Sequence, residues 1–571
     1  LASAQMGILV VRTVGPAGPV SGARVEVLFQ EEVFQWGDTD QTGLVRIDGI
    51  PGGTFQVRVQ ALGFHTKVVE AVRVALGEAQ TLEVVLEVAP IELEGLTIRT
   101  ERVQIERENT EFTTTVEEAA IRLLPMTYDA KDLVALTPGA RPGHIWGGAN
   151  IQANSYRIDG LSANHPGMGG DLLQPSIYWI DRVEVRGLGA GAEYGGFQGG
   201  LVDVITKSGG NDFEASIRST AESAALTGSN LVRTEIGTEM AGRIDVEGEA
   251  LGPIIRNELF YYVSGKYVNQ DRQALNHLRG VDVKYAPYQE EGTEQKLFGK
   301  LTWNPILTNT IEVSGGYTNQ QADNYQLTGL EGPGATHRYD SPTWFLNGSF
   351  QQILGAWAVV EGRVNHFSRD EQYDPYFGED LPGLSNFALI PPFTSFRNAP
   401  VTLRSAPSST SGTALGTFRI MTGSWEHTLK LGGELTRGWF VDQRTRNGGM
   451  TWLPVNSSRF DPEDPLTWSH LGSDWIPNMW GGEVNLDADD MNGALFAQSS
   501  ISVGSRVILS PGVRWSRWKG WITPTDWERF LAVEDQGLDP RMGISVGLLE
   551  DGSFVAKGHW GRYHQNMISQ M

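Results

Sequence analysis

Ten histidines and 68 acidic residues supply the groups from which a catalytic or metal site would be built, and there is no cysteine among the 571 residues. The histidines are scattered, and neither an H-E-x-x-H zinc helix nor a G-x-S-x-G nucleophile elbow occurs. His65 is the single histidine of the first ninety residues, and no ligand cluster surrounds it. Asp487, Asp489 and Asp490 in NLDADDMNG have the D-x-D spacing of calcium ligation, but the twelve-residue loop closed by a glutamate is missing, so a solvated turn is expected. Gly187, Gly189 and Ala192 follow the strand-like DRVEVR and satisfy G-x-G-x-x-A. A pyrophosphate there would need a helix to open immediately, yet the chain continues EYGGFQGG into another β run. No enzyme, no resident metal and no cofactor are expected.

The elements that hold these residues are β-strands and turns. The chain has 69 glycines, well above the usual share of about 7%, which favours turns and bulges over long helices. The tract 187–200, GLGAGAEYGGFQGG, is so glycine-dense that its backbone must turn tightly or lie against another backbone. The absence of cysteine rules out disulfide scaffolds and thiolate metal sites and suits an oxidising periplasm or cell surface. A net charge of −23 argues against a nucleic-acid partner, whose phosphates require clustered Lys and Arg. No run of eighteen apolar residues appears, so a membrane could be crossed only by a closed barrel of strands.

From Tyr156 to Lys207 the chain reads YRIDG, a loop, YWIDRVEVRG, the glycine tract and LVDVITK. This order resembles the plug domain of TonB-dependent outer-membrane transporters: the DG step at Asp159 and Gly160, a strand from Ile180 to Gly187, YG at Tyr194 and Gly195, GG at Gly199 and Gly200, and a closing strand from Val202 to Lys207. The resemblance implies that plug arginines latch onto inward-facing barrel acids, with Arg182, Glu184 and Arg186 at period 2 as the candidates. It also implies that the loops 144–155 and 162–179 face substrate, through Trp146, His165, Met168 and Tyr178. The runs VEEAAIRLLP and KDLVALTPG, near the start of the plug, are expected to be short helices.

Ahead of the plug, residues 1–6 contain LASAQ, whose A-x-A pattern is that of a signal-peptide end. Residues 7–88 alternate in short strands separated by PAGPVSG, GDTDQTG and PGG, giving an antiparallel β-sandwich. SGARVEV, TDQTGLVRI, IPGGTFQVRV and the GF step at Gly63 and Phe64 resemble the carboxypeptidase regulatory-like domain, a non-catalytic module. In the linker 89–111, the segment Glu94, Gly95, Leu96, Thr97, Ile98, Arg99 and Thr100 holds the position of a TonB box, although its charges and Gly95 depart from the family's more apolar form. A short extended segment suits pairing with an energising periplasmic protein by strand addition.

After the plug, 112–210, residues 211–571 carry about thirteen amphipathic strands with aromatic ends, the signature of a transmembrane β-barrel. EALGPIIRNELFYY, HTLKLGGEL, ALFAQ and GRYHQ resemble the Oar-like branch of the same family. PIIRN, 253–257, reads as a periplasmic turn; 370–411 and 444–485 read as long extracellular loops. Plugged transporters close with 22 strands, so further strands are expected after Met571.

The fold class is thus mainly β: sandwich, small α+β plug, and an antiparallel transmembrane barrel incomplete in this chain. The expected function is import across the cell outer membrane of a substrate that the sequence does not name. The expected partners are a TonB-type transducer, outer-membrane lipid and an extracellular substrate, with room for a surface lipoprotein or other membrane partner. The alternative is a surface, adhesion or secretion-related protein that uses the plugged barrel as a scaffold.

Overall fold

The computed structural model describes residues 7–565 except 16–17, 30–31, 41, 51–52, 62–63, 65, 75–78, 87–109, 125–132, 142–143, 147–150, 171–172, 188, 227–235, 277–288, 307, 328–330, 332–333, 356, 386–394, 397, 423–424, 455–474, 481–482, 504–505, 526 and 549–553. The signal-peptide reading, His65 and the candidate TonB box all lie outside the described residues.

Alternation builds the N-terminal sandwich. One sheet contains Gly7–Gly15, Leu44–Ile50 and Ala79–Val85; the other contains Glu32–Asp38, Arg24–Phe29, Gly53–Gln60 and Lys67–Val74. Every second residue, among them Leu9, Val11, Val25, Val27, Ile47, Val57 and Val59, enters one core. The expectation of purely antiparallel strands fails at one place. Ala79–Val85 returns beside Gly7–Gly15 in the parallel sense.

The plug is a five-stranded mixed sheet in the order Leu161–Ser162, Ser155–Ile158, Leu201–Thr206, Ile180–Arg186, Thr113–Glu117. Asp159 and Gly160 both have positive φ, 50° and 76°, the requirement of a tight primed hairpin turn. The Asp159 carboxylate then accepts the Thr206 backbone N–H at 2.9 Å and its hydroxyl at 2.7 Å, tying that turn to the sheet's central strand. The first expected helix is Glu118–Leu123. The second is reduced to one turn, closed by Leu136 N–H to the Leu133 carbonyl and Thr137 N–H to that of Val134, before Pro138 stops it.

All thirteen expected barrel strands are present, from Glu214–Ser223 to Val555–Gly561, each paired antiparallel with its neighbours in one large sheet. Within Gln289–Ile306, Lys296, Phe298 and Lys300 point inward at 4–5% exposure, while Leu297 and Leu301 point outward at 58% and 45%. Such strict alternation gives a polar and aromatic lumen inside an apolar outer band. Trp303, Trp357 and Trp425 stand exposed beside the short turns, as an interfacial girdle requires. At the turn after Ile255, Asn257 takes φ 62°, a conformation asparagine tolerates, and exchanges hydrogen bonds with Asn211.

The long links are more ordered than expected. Val401–Thr422 and Trp425–Arg446 are paired over their whole lengths, so 401–411 is strand and not loop. Asp487, Asp489 and Asp490 also stand in a strand, Val484–Val503, flanked on both sides, and not in a solvated turn. Among the described residues Glu214–Ser223 pairs with Ile236–Ile255, and Val555–Gly561 with Phe530–Gly547, and the two terminal barrel strands do not pair with each other.

Plug and barrel share one core. Trp179 of the plug is fully buried and stacks on Phe298 of the wall at 4.9 Å between ring centroids; Phe298 meets Tyr262 and Phe345, and Phe345 meets Phe367. Replacing Trp179 with alanine is expected to cost about 3–5 kcal/mol, read as a lowered plug unfolding midpoint in detergent while the barrel keeps its heat-modifiable mobility.

Candidate functional site

The site is the boundary along which the plug meets the lumen wall, and it is built of buried charge. Arg157 sits in Ser155–Ile158, a strand of the plug sheet, and is 6% exposed. It meets the barrel carboxylate Glu434 at 3.3 Å, and Arg514 reaches the same oxygen at 3.4 Å. At side-chain exposures of 7%, 14% and 5%, the trio is completed by the backbone carbonyls of Gly160 and Glu193 and by the Ser516 hydroxyl, which accepts from Arg514 Nε at 3.1 Å. A second link joins Lys207, where the plug ends, to the barrel's Glu249 at 2.9 Å and to the helical Glu118 at 2.8 Å. Glu249 also accepts the hydroxyls of Tyr262 at 2.8 Å and Ser216 at 3.0 Å. A third pairs Glu193 with Lys430 at 2.5 Å.

The glycine tract explains how the plug comes so close to the wall. A Cβ on Gly195 would stand 2.3 Å from Arg514 Nε, and one on Gly191 would stand 2.3 Å from Gln498 Oε1. The tract turns tightly at Gly189 and Gly196 and meets both wall side chains and other backbone, as where the N–H groups of Gln198 and Gly199 donate to the Ala153 carbonyl. Ala192 N–H donates to Gln498 at 2.5 Å, and the Tyr563 hydroxyl donates to the Ala190 carbonyl at 3.1 Å.

The expected latch residues have different partners. Arg182 pairs with Asp181 and Glu184, both at 2.9 Å; Arg186 pairs with Glu111 at 2.9 Å and Glu184 at 2.5 Å. All of these acids precede the barrel. The physical reason is that Arg182, Glu184 and Arg186 share one face of a single strand, so each arginine meets Glu184 before anything on the wall. That face borders a polar cavity of about 950 Å³, across which lie the barrel's Glu312, Glu361 and Arg363. Pairs that do reach the wall start from Arg157, Lys207 and Glu193, with longer ones from Asp159 to Lys300 at 3.7 Å and from Arg122 to Glu249 at 3.9 Å. Period-2 reading missed them; the available signal, for Arg157 alone, was a charge inside the short strand Ser155–Ile158, beside the buried Ser155 and Ile158.

The four expected substrate-facing residues do not converge. Trp146 has φ 40°, donates from Nε1 to the Pro138 carbonyl at 2.6 Å, and covers Gly139 and Gly187, where any Cβ would collide with its ring. Tyr178 lies against the wall, its ring beneath Arg218 at 4.4 Å and its carbonyl accepting the Tyr262 hydroxyl at 3.0 Å. His165 Nδ1 accepts the backbone N–H groups of Gly167 at 3.1 Å and Met168 at 3.0 Å, so the proton rests on Nε2. Burial, with Arg369 adding to it, pushes the His165 pKa down to about 4, which leaves the ring neutral. Its edge packs on Phe440, and the Met168 side chain beside it is half-buried. Among the described residues no group of three metal-ligating side chains comes together.

Comparison with known proteins agrees with this architecture. Residues 9–87 match the carboxypeptidase regulatory-like domain. The chain is 27% identical over 243 residues to the TonB-dependent transporter Oar of Myxococcus xanthus, covering 39% of this chain and 23% of Oar. Among solved structures it resembles the outer membrane transporter YddB from Escherichia coli, with TM-score 0.57, 15% identity and coverage of 80% of this chain and 62% of YddB. It also resembles the ferric citrate transporter FecA in its unliganded form, with TM-score 0.58, 12% identity and coverage of 81% and 64%. The chain therefore spans less than two thirds of each of these proteins. The fold is that of a plugged β-barrel like those of these outer-membrane transporters, with a carboxypeptidase regulatory-like domain ahead of it. All three of these proteins are transporters.

Removing Glu434 would leave Arg157 and Arg514 facing each other in the lumen without the carboxylate they share. Glu434→Leu is expected to destabilise plug seating by about 3–5 kcal/mol, measured as faster limited proteolysis of the plug; a protease pattern like that of the unaltered protein would contradict the latch.

Proposed function

We propose that the protein imports a substrate across the outer membrane, driven by a TonB-type transducer that pulls on residues 94–100. The carrying observation is that the plug is seated by a few discrete ion pairs and one aromatic stack, and borders a polar cavity along its Arg182 to Arg186 face. A plug held this way seals the barrel at rest and can shift without unfolding the wall. Kinship with the Oar transporter supports the same reading. Strand addition suits the pull, because main-chain hydrogen bonds grip a segment without demanding a fixed side-chain sequence. The segment must be free to pair, since a strand already flanked on both edges could accept no other.

Ile98→Pro removes one backbone donor and fixes φ. Cells carrying it are expected to keep a folded barrel and surface binding of the substrate while uptake collapses. Uptake equal to that of the unaltered protein would make 94–100 a passive linker and favour the scaffold alternative. Mass spectrometry of small molecules that co-purify with the protein is the direct route to the substrate.

A further inference from the structure

Residues 87–109 join the plug at Thr110 and Glu111, and this junction is held by side chains before any strand begins. Thr110 is 4% exposed. Its hydroxyl packs against the wall at Gly543, where a Cβ would lie 2.4 Å from Oγ1. Glu111 reaches in two directions: Oε2 to Arg186 at 2.9 Å, and Oε1 to the backbone N–H of Gly191 at 2.6 Å. Its side chain is only 10% exposed. Arg186 is itself steadied by Glu184 and lies over the Tyr194 ring at 5.0 Å.

The geometry decides which contact bears load first. Among the described residues Thr113–Glu117 is an edge strand of the plug sheet, paired only with Ile180–Arg186, and Thr113 stands opposite Arg186. Glu111 lies two residues ahead of Thr113 and is anchored both to the end of that partner strand and to the glycine tract beyond it. Tension arriving from residue 109 therefore acts on the Glu111 carboxylate before it acts on the ladder.

We propose that Glu111 is a retaining clip, a positioning residue that holds the junction of linker and plug onto the plug and fixes the point at which a pull begins to move it. Its purpose rests on the import reading above, but its existence is tested without import. The chain has no cysteine, so Thr110→Cys supplies a sole thiol at the junction. In detergent-purified full-length protein, with no transducer present, a bulky maleimide should label that thiol slowly. Glu111→Gln keeps an acceptor for Gly191 but loses the charge, and should label faster. Glu111→Ala loses both contacts and should label faster still, by about tenfold or more, the scale of one lost charge-assisted hydrogen bond to a buried group. Arg186→Gln should match Glu111→Gln, because it removes the same pair from the other side. If Glu111→Ala prevents assembly, judged by heat-modifiable mobility, the two glutamine variants carry the comparison. Rates within twofold of the unaltered background in all assembled variants would overturn the clip and leave the import reading standing. Faster labelling together with normal uptake in Ile98→Pro would uphold the clip and overturn the pull through residues 94–100.

Discussion

A carboxylate shared by two arginines in the lumen governs how the plug can sit. Arg157, Glu434 and Arg514 are all nearly excluded from solvent, and a charge in such a place is tolerated only with its partner in reach. Two cations around one anion is a tight specification. A small shift of the plug would take Arg157 away from the carboxylate it shares with Arg514 of the wall. Hydrophobic contact tolerates sliding; this arrangement does not. The ion trio therefore fixes the register that the surrounding packing then fills, and the glycines at 191 and 195 are the steric condition that lets the wall side chains Gln498 and Arg514 come close enough.

The plug's surroundings differ from side to side. Toward Tyr262, Phe298, Phe345 and Phe367 it is dry and aromatic, with Trp179 as the key side chain. Along the Arg182 to Arg186 face it borders a roomy polar cavity whose wall carries charges of both signs. Separating dry stacked rings exposes apolar area and sacrifices close packing, whereas separating charges across water exchanges one set of hydrogen bonds for another. Motion of the plug is thus cheaper on the cavity side, and the aromatic row acts as the hinge side of the seat.

What the sequence made legible was local. The DG turn follows from two residues that accept positive φ, and the barrel strands follow from alternation that each strand satisfies by itself. The sandwich core was readable for the same reason. The latch was not, because Arg157 and Glu434 are 277 residues apart and nothing in either neighbourhood names the other. Period 2 located the face shared by Arg182, Glu184 and Arg186 but not what lay opposite, and the nearest opposite charges were on the strand itself. The acids around Asp489 were misplaced for a related reason. Asp489 pairs with Arg529 forty residues on, so a cluster that reads as turn-like when isolated is stabilised within a strand by a distant partner.

The same distinction between local and distant contacts orders the events of any plug movement. The pairs Arg157 to Glu434 and Lys207 to Glu249 connect plug to wall, so they yield only when the plug as a whole shifts. The contacts of Glu111 lie within the plug's own segment of the chain, at the end nearest the linker, and they yield when that end alone is displaced. Force entering from the linker therefore meets the contacts in sequence, the junction first and the wall afterwards. A plug organised in this way stays seated against small fluctuations of the linker, because loosening the junction leaves the buried trio and the stacked tryptophan untouched.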